Sequence, residues 1–263
     1  MNRRDFGLGL LGGTLAAGGL GARPTRAAGK KKVLAITWAQ GFKHSSRALA
    51  AETVKNLGEK TGQWEVVEIV DTRDATNAAM APDKIKNLDM IFFANTTGDL
   101  GWTPEVRAGF YDWIRNGGGY AGVHSASDTY HGDADYLDLV RGEFQTHGPQ
   151  VKVTIYNQDP KHPACADLPA SFEIYDEIYE FKNWDRKRVH MLLTMHKHPQ
   201  KDEQGDFPVA WTNRVGKGRM FYTSLGHRED VYANELYLKH LTGGLQWALG
   251  LKKGDDRPGN PLI

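Results

Sequence analysis

Four histidines sit in short stretches that carry glycine or aromatic residues. They are His44 in Gln40-Gly41-Phe42-Lys43-His44-Ser45, His124 in Gly122-Val123-His124-Ser125, His147 in Gly142-Glu143-Phe144-Gln145-Thr146-His147, and His227 in Ser224-Leu225-Gly226-His227. Imidazole is the commonest metal ligand, and three such groups with an open water position make a catalytic, zinc-like site. His124 is the most telling of the four. The run Asn116 to Asp128 reads as helix end, glycine turn, short buried strand and a turn tipped by histidine. In an open parallel sheet that turn faces the crevice where ligands bind. Cysteine or serine there would point to acyl transfer, whereas histidine points to a metal, a proton or both.

Ligands drawn from separate loops obey no spacing rule, so the pattern is weaker than a HExxH helix, and any one histidine fits a structural role as well. The structural reading is strongest for His162, His190, His196, His198 and His240. His196-Lys197-His198 alternates like a two-ligand strand, but it adjoins a polar stretch, Pro199 to Asp206, that reads as an exposed loop. Among carboxylates, Asp176-Glu177-Ile178-Tyr179-Glu180-Phe181 is the densest cluster. If it is extended, Glu177 and Tyr179 share one face and Asp176 and Glu180 the other. Glu177 is then a general base raised towards neutrality by nearby aromatic rings, a metal ligand, or an edge-strand charge that blocks aggregation. Asp128 orients His124, holds a hydroxyl, or caps a helix. Asn95-Thr96-Thr97-Gly98-Asp99 offers polar groups at a strand end, with Gly98 free to make a turn. Trp38, Phe42, Trp102, Tyr130 and Tyr179 suit stacking on sugar rings, although aromatics at strand ends also serve as core.

The elements that must position these residues alternate in the first half. Lys32 to Trp38 reads as a strand, Ser45/Ser46 as caps of a helix burying Ala50, Val54 and Leu57, and Trp64 to Val70 and Asp89 to Asn95 as further strands. Thr103-Pro104 opens a helix with Val106, Phe110, Trp113 and Ile114 on its buried stripe, and Asn116-Gly117 closes it. This spacing predicts a doubly wound, mostly parallel α/β sheet covered by helices on both faces. The second half reads as strands over Val151–Tyr156, Glu173–Phe181, Val189–Thr194, Val209–Thr212 and Arg219–Ser224, a β-rich extension with a flap over one end. A last helix with Leu238, Leu241, Leu245 and Leu249 in register precedes a Gly/Pro-rich tail at residues 253–263.

Asn2-Arg3-Arg4-Asp5-Phe6 and the apolar run to Leu20 have the form of a twin-arginine export signal, with cleavage expected after Ala27. The expected domain is therefore residues 28–252, in a periplasmic or secreted protein without a membrane anchor after processing. Removing the leader leaves 29 Lys and Arg against 31 Asp and Glu. A near-neutral chain with no basic stripe argues against nucleic acid as a partner. Cys165 is the only cysteine, so no disulfide forms within the chain, and its proline-broken loop gives it no activating partner.

Taken together, Gly41 to Ser45, Gly117 to Asp128, Gly142 to His147, Asp176 to Tyr179, Pro208-Val209-Ala210-Trp211-Thr212, Gly216-Lys217-Gly218-Arg219, Ser224 to His227 and Gly243 to Ala248 make the chain resemble the trehalose-utilisation, ThuA-like family. The resemblance runs from Lys32 to Gly250 and implies a class I glutamine amidotransferase-like fold with a flavodoxin-like core. It also implies sugar chemistry on 3-keto-glycosides made by a partner sugar 3-dehydrogenase. A 3-keto group acidifies the proton at carbon 2, so a base can remove it and expel the anomeric substituent; lyase, hydrolase and isomerase outcomes are all compatible. Glutaminase activity is disfavoured, because His124 stands in place of the cysteine. The expected site has His124, Glu177 and His227 as catalytic residues, with Glu177 the favoured base. Gln40, Phe42, Thr96, Asp128 and Tyr179 are the expected substrate contacts. His44, His124, His147 and His227 are the expected ligands of a divalent metal such as zinc, and no nucleotide cofactor is expected. The rival readings are a non-catalytic carbohydrate-binding protein and a metal-dependent amidase or esterase.

Overall fold

The computed structural model describes residues 29–263, so the leader expected at residues 1–27 lies outside the described residues. Strand β1 (Lys31–Ile36) leads to helix α1 (Arg47–Thr61), strand β2 (Trp64–Val70), helices α2 (Arg73–Ala79) and α3 (Pro82–Ile85), strand β3 (Met90–Ala94), helix α4 (Pro104–Arg115) and strand β4 (Gly119–Val123). A 3-10 turn over His124–Asp128 and helix α5 (Ala134–Val140) follow. The second half supplies β5 (Glu143–His147), β6 (Val151–Asn157), β7 (Ser171–Asp176), β8 (Tyr179–Lys182), β9 (His190–Lys197), β10 (Gln204–Val215), β11 (Gly218–Thr223) and the closing helix α6 (Glu235–Ala248).

Strands β3 and β4 are buried at every residue, because helices cover both faces of the sheet there. Alternation along β1 and β3 divides the core in two. Val33, Ala35 and Phe92 pack on one face with α1 and α6, and Leu34, Ile36 and Phe93 pack on the other with α4. Helix α4 starts as its sequence demands, with Thr103 Oγ1 accepting from the Val106 N–H and Pro104 in the first turn.

One sheet holds nine strands in the order β2-β1-β3-β4-β11-β10-β9-β6-β7. Pairings from β2 through β11 are parallel, and those from β11 to β7 are antiparallel. The parallel part has the flavodoxin-like order, whose switch point lies between β1 and β3. The expected flap takes a different form. Strands β10, β9, β6 and β7 extend the main sheet, and only β5 and β8 stand apart as a two-stranded ribbon.

The single strand expected over Glu173–Phe181 is broken. β7 ends at Asp176 on β6, while β8 begins at Tyr179 on β5, so Glu177 and Ile178 cross between two sheets. The stretch read as a loop at Pro199 to Asp206 is also shorter, because β10 starts at Gln204 and pairs with Lys197. The C-terminal segment lies against β9. Asn260 accepts from the Met191 N–H through Oδ1 (2.8 Å) and donates to the Met191 carbonyl through Nδ2 (3.1 Å), pairing backbone groups that no strand reaches.

His162 and His240 are fully buried around the Ala164 peptide, one accepting from its N–H and the other donating to its carbonyl. Burial pushes His162 down to about 3 and His240 down to about 4. Both bind a proton in the unfolded chain near pH 6.5 but not in the folded one, so their contribution is complete above pH 6.5 and is lost as pH falls below it. These two groups alone should make stability fall by up to about 2.7 kcal/mol per pH unit between pH 6 and 4.5, two protons' worth. Burial raises the Asp176 carboxyl and offsets part of the loss at the acid end. Urea unfolding across this range checks the expectation: H240Q should flatten the slope by one proton, and an unchanged slope would contradict it.

Candidate metal centre

The carboxyl ends of three parallel strands each deliver a histidine. His44 follows β1, His124 is the first residue after β4, and His227 lies just beyond β11. Glu177 enters from the break between β7 and β8. A ligand atom from each of these four residues lies within 4.8 Å of those from the other three.

His124 adopts φ 45°, and Asn95, at the end of the neighbouring β3, adopts φ 51°. Left-handed backbone costs a residue with a Cβ about 1 kcal/mol, so it persists only where surroundings enforce it. The Tyr222 hydroxyl donates to the His124 carbonyl (2.6 Å), and the His124 ring contacts the Ser224 carbonyl through Nδ1 (2.9 Å). A carbonyl only accepts, so Nδ1 carries the hydrogen and the Nε2 lone pair faces the cluster. The Tyr179 ring backs the imidazole at a centroid distance of 4.1 Å.

His124 Nε2, His227 Nδ1 and Glu177 Oε1 form a triangle with sides of 3.2, 3.3 and 3.5 Å. Ligand atoms about 2.0–2.1 Å from a tetrahedral ion are about 3.3–3.4 Å apart, so the triangle has the edge lengths of one face of such a site. His44 stands over it, its ring at 4.8 Å from that of His124 and 5.2 Å from that of His227. Ser125 Oγ lies 3.2 Å from His44 Nδ1, which leaves Nε2 for a ligand role. Three imidazoles and one carboxylate suit a borderline ion of the zinc class, so the donor set fits the divalent metal expected from the sequence.

Burial and the neighbouring His124 and His227 push His44 down to about 3, so it is neutral at pH 7, the form in which imidazole binds a metal. Burial opposes ionisation of Glu177, but the neighbouring His124 and His227 imidazoles outweigh it and hold the carboxyl well below its usual range. The hydrogen bond to Glu177 in turn raises His227. Glu177 is thus not the near-neutral base expected from its aromatic surroundings. A firmly ionised carboxylate facing two imidazoles has the character of a ligand.

The loop carrying His227 is clamped from several sides. Asp176, fully buried, accepts from the Gly226 N–H (2.7 Å) and the Arg228 N–H (3.2 Å), the amides on either side of His227. Ser46 Oγ donates to the His227 carbonyl (2.8 Å), while Asn95 Nδ2 donates to Ser46 Oγ (2.7 Å) and to the Gly226 carbonyl (3.0 Å). Gly226 is required here: its φ is 113°, and a Cβ would lie 2.6 Å from the Tyr232 hydroxyl oxygen. Neighbouring residues 176 and 177 therefore supply the clamp and the ligand.

Of the expected site residues, the fold gathers His44, His124, Glu177 and His227. His147 falls outside this group. It ends β5 with its ring 43% exposed, and its Nδ1 lies 3.2 Å from the outer oxygen of Glu177 and 2.8 Å from the Gly148 carbonyl. Phe42 stands 67% exposed at the rim, edge-on to His44, and Gln40 is exposed in the same loop. Thr96 is buried, with its hydroxyl paired to that of Thr129 (2.7 Å). Tyr179 is likewise a buried wall packed between His124 and Phe144. Asp128 leaves His124 to Ser224 and instead meets His131 Nε2 at 2.6 Å. Cys165 is buried, and burial pushes its thiol well up, in keeping with an inert residue.

Asp176, Ser125, Ser224 and His131 were not singled out by the sequence. The first three act through contacts between distant segments that no motif encodes. His131 had a visible signal, its spacing of three from Asp128 in a turn-rich segment.

The sequence of the trehalose-utilisation (ThuA) family matches residues 32–248. No curated protein sequence matches the chain. Among solved structures, a ThuA-like protein from Bacteroides uniformis is 23% identical with a TM-score of 0.66, over 86% of this chain and 95% of its own. A second, from Parabacteroides merdae, is 19% identical with a TM-score of 0.70, over 85% of this chain and 91% of its own. A β-galactosidase from Bacillus circulans sp. alkalophilus is 12% identical with a TM-score of 0.54, over 84% of this chain but only 31% of its own. At these identities the likeness is one of fold, a mostly parallel sheet flanked by helices. The match across nearly all the described residues establishes that the chain belongs to the ThuA trehalose-utilisation family.

Proposed function

We propose that this protein is a metal-dependent enzyme that opens the glycosidic bond of 3-keto-glycosides by elimination. The observation that carries this reading is the triangle of His124 Nε2, His227 Nδ1 and Glu177 Oε1, capped by His44 at the carboxyl ends of the parallel strands. A divalent ion held by these four residues would supply Lewis acidity for the oxygen that gains charge as the carbon 2 proton leaves. His147 takes that proton in this reading. Its Nδ1 hydrogen is directed at the Gly148 carbonyl, which leaves the Nε2 lone pair on a ring exposed at the mouth of the site. Phe42 offers an exposed aromatic face for the apolar side of a sugar ring.

The substrate must be supplied by an oxidation of the carbon 3 hydroxyl, the work of a sugar 3-dehydrogenase. The twin-arginine pattern at Arg3-Arg4 supports placing the activity outside the cytoplasm. Among the described residues no helix is long and apolar enough to cross a membrane.

Incubation with a 3-keto-glucoside, with and without a chelator, tests the proposal. Aglycone release that chelation abolishes and a divalent cation restores is expected. A shifted melting point without product would favour a binding protein. Turnover of simple esters without a keto group would favour a metal-dependent amidase or esterase.

A further inference from the structure

Beside the histidine cluster lies a group of polar side chains that none of the chemistry above uses. The 3-10 turn that begins at His124 ends at Asp128, and Tyr130 and His131 follow it directly. With Gly41, Asp99 and Arg107 they line a cleft of about 500 Å³. Gly41 belongs to the loop that carries His44, and Asp128 ends the 3-10 turn that begins at His124. The cleft and the cluster are therefore neighbours.

Three features set this cleft apart from an ordinary surface depression. The first is a carboxylate–imidazole pair, His131 Nε2 at 2.6 Å from Asp128 Oδ1, with the ring 38% exposed. The second carboxylate near this ring, Glu143 Oε1, is 3.5 Å from His131 Nδ1, too far for a hydrogen bond. Glu143 is instead occupied by the Gly132 N–H (2.9 Å) and Lys182 Nζ (2.5 Å). His131 Nδ1 thus remains for an incoming group.

The second feature is Tyr130, which is 6% exposed with a hydroxyl that finds no hydrogen-bond partner among the described residues. The third is strain, because Tyr130 has φ 52°. A buried hydroxyl without a partner calls for an explanation, and backbone strain recurs at ligand sites.

We infer that this cleft is the subsite for the leaving group, and that His131, held by Asp128, is the proton donor to the departing glycosidic oxygen. The inference rests on the reading of the neighbouring cluster as the place where a glycosidic bond opens. In the elimination the carbon 2–hydrogen bond breaks, its proton passes to the base, and a double bond forms between carbons 1 and 2. The bond from carbon 1 to the glycosidic oxygen breaks with its electron pair on oxygen. A proton from Nδ1 of His131 in its doubly protonated form, its Nε2–H held by Asp128, joins that oxygen and releases a neutral alcohol, and the neutral imidazole left behind recovers its proton from solvent.

Two 3-keto-glucosides that differ in the leaving group test this. A nitrophenolate departs without help, whereas a sugar or alkyl alcohol needs a proton. H131Q and D128N should lower turnover of the alkyl or sugar glycoside by about 10²–10³-fold. They should lower that of the nitrophenyl glycoside less than about tenfold and leave metal content unchanged. Equal losses on both substrates, or no loss on either, would overturn the proton-donor role. Wild-type protein that turns over neither substrate would sink the underlying elimination and this role with it, a result distinct from active wild type with indifferent variants. Normal melting of H131Q, whose ring is part-exposed, separates lost chemistry from lost folding.

Discussion

Replacing His124 by alanine should abolish the bound metal and lower turnover by about 10³-fold or more, the largest effect expected of any single substitution. The reason is geometric. His124 Nε2 is one vertex of the triangle with His227 and Glu177, and its tautomer is set by the Ser224 carbonyl behind it. Losing that vertex leaves Glu177 and His227 paired with each other, and removes one ligand of the ion that would stabilise the developing charge. The left-handed backbone at this position permits a control. H124G should be as inactive as H124A but about 1 kcal/mol more stable, because glycine relieves the strain that alanine retains. That difference corresponds to about 2–4 °C in melting temperature for a domain of this size. Calorimetry and turnover on the pair check both expectations, and an H124A protein with wild-type turnover would remove His124 from the site.

Substituting Asp176 should have the second largest effect, although its carboxylate faces away from the triangle. D176A leaves the Gly226 and Arg228 amides unpaired in a buried place, each costing about 1–3 kcal/mol. The melting temperature should fall by about 10 °C. His227 lies between those two amides, so metal affinity should also fall by about 10–100-fold, the usual effect of losing a group that orients a ligand. D176N keeps one acceptor oxygen and should be intermediate in both measurements. Competition with a chelating dye reads the affinity. Unchanged affinity in a destabilised D176A protein would confine Asp176 to a folding role.

Much of this arrangement was legible in the chain because local pattern and tertiary demand agree. The buried runs Met90–Ala94 and Gly119–Val123 could only be central strands, and Thr103-Pro104 could only start a helix. Strand ends then located His44, His124 and His227 without knowledge of their separation. What the pattern did not reveal depends on contacts between distant segments. Nothing local in Ser171 to Phe181 signals a break, since the residues keep strand-like alternation. The break follows from Asp176 binding the loop after β11 while Tyr179 packs on His124. Ring direction was equally hidden. His147 looks like a fourth ligand in sequence, but the β5–β8 ribbon carries it to the outer oxygen of Glu177. Thr96 and Tyr179 sit in the right segments with side chains turned inwards, a choice made by packing.

The most direct measurement is the metal content of the purified protein and of single variants at each candidate residue, by elemental analysis after exhaustive dialysis. One divalent ion per chain is expected in the wild type, lost or sharply reduced in H44A, H124A, E177Q and H227A, and retained in H147A and H131Q. Equal metal content in the wild type and all four ligand variants, or retention in those four with loss in H147A, would contradict the assignment of His44, His124, Glu177 and His227 as the metal centre.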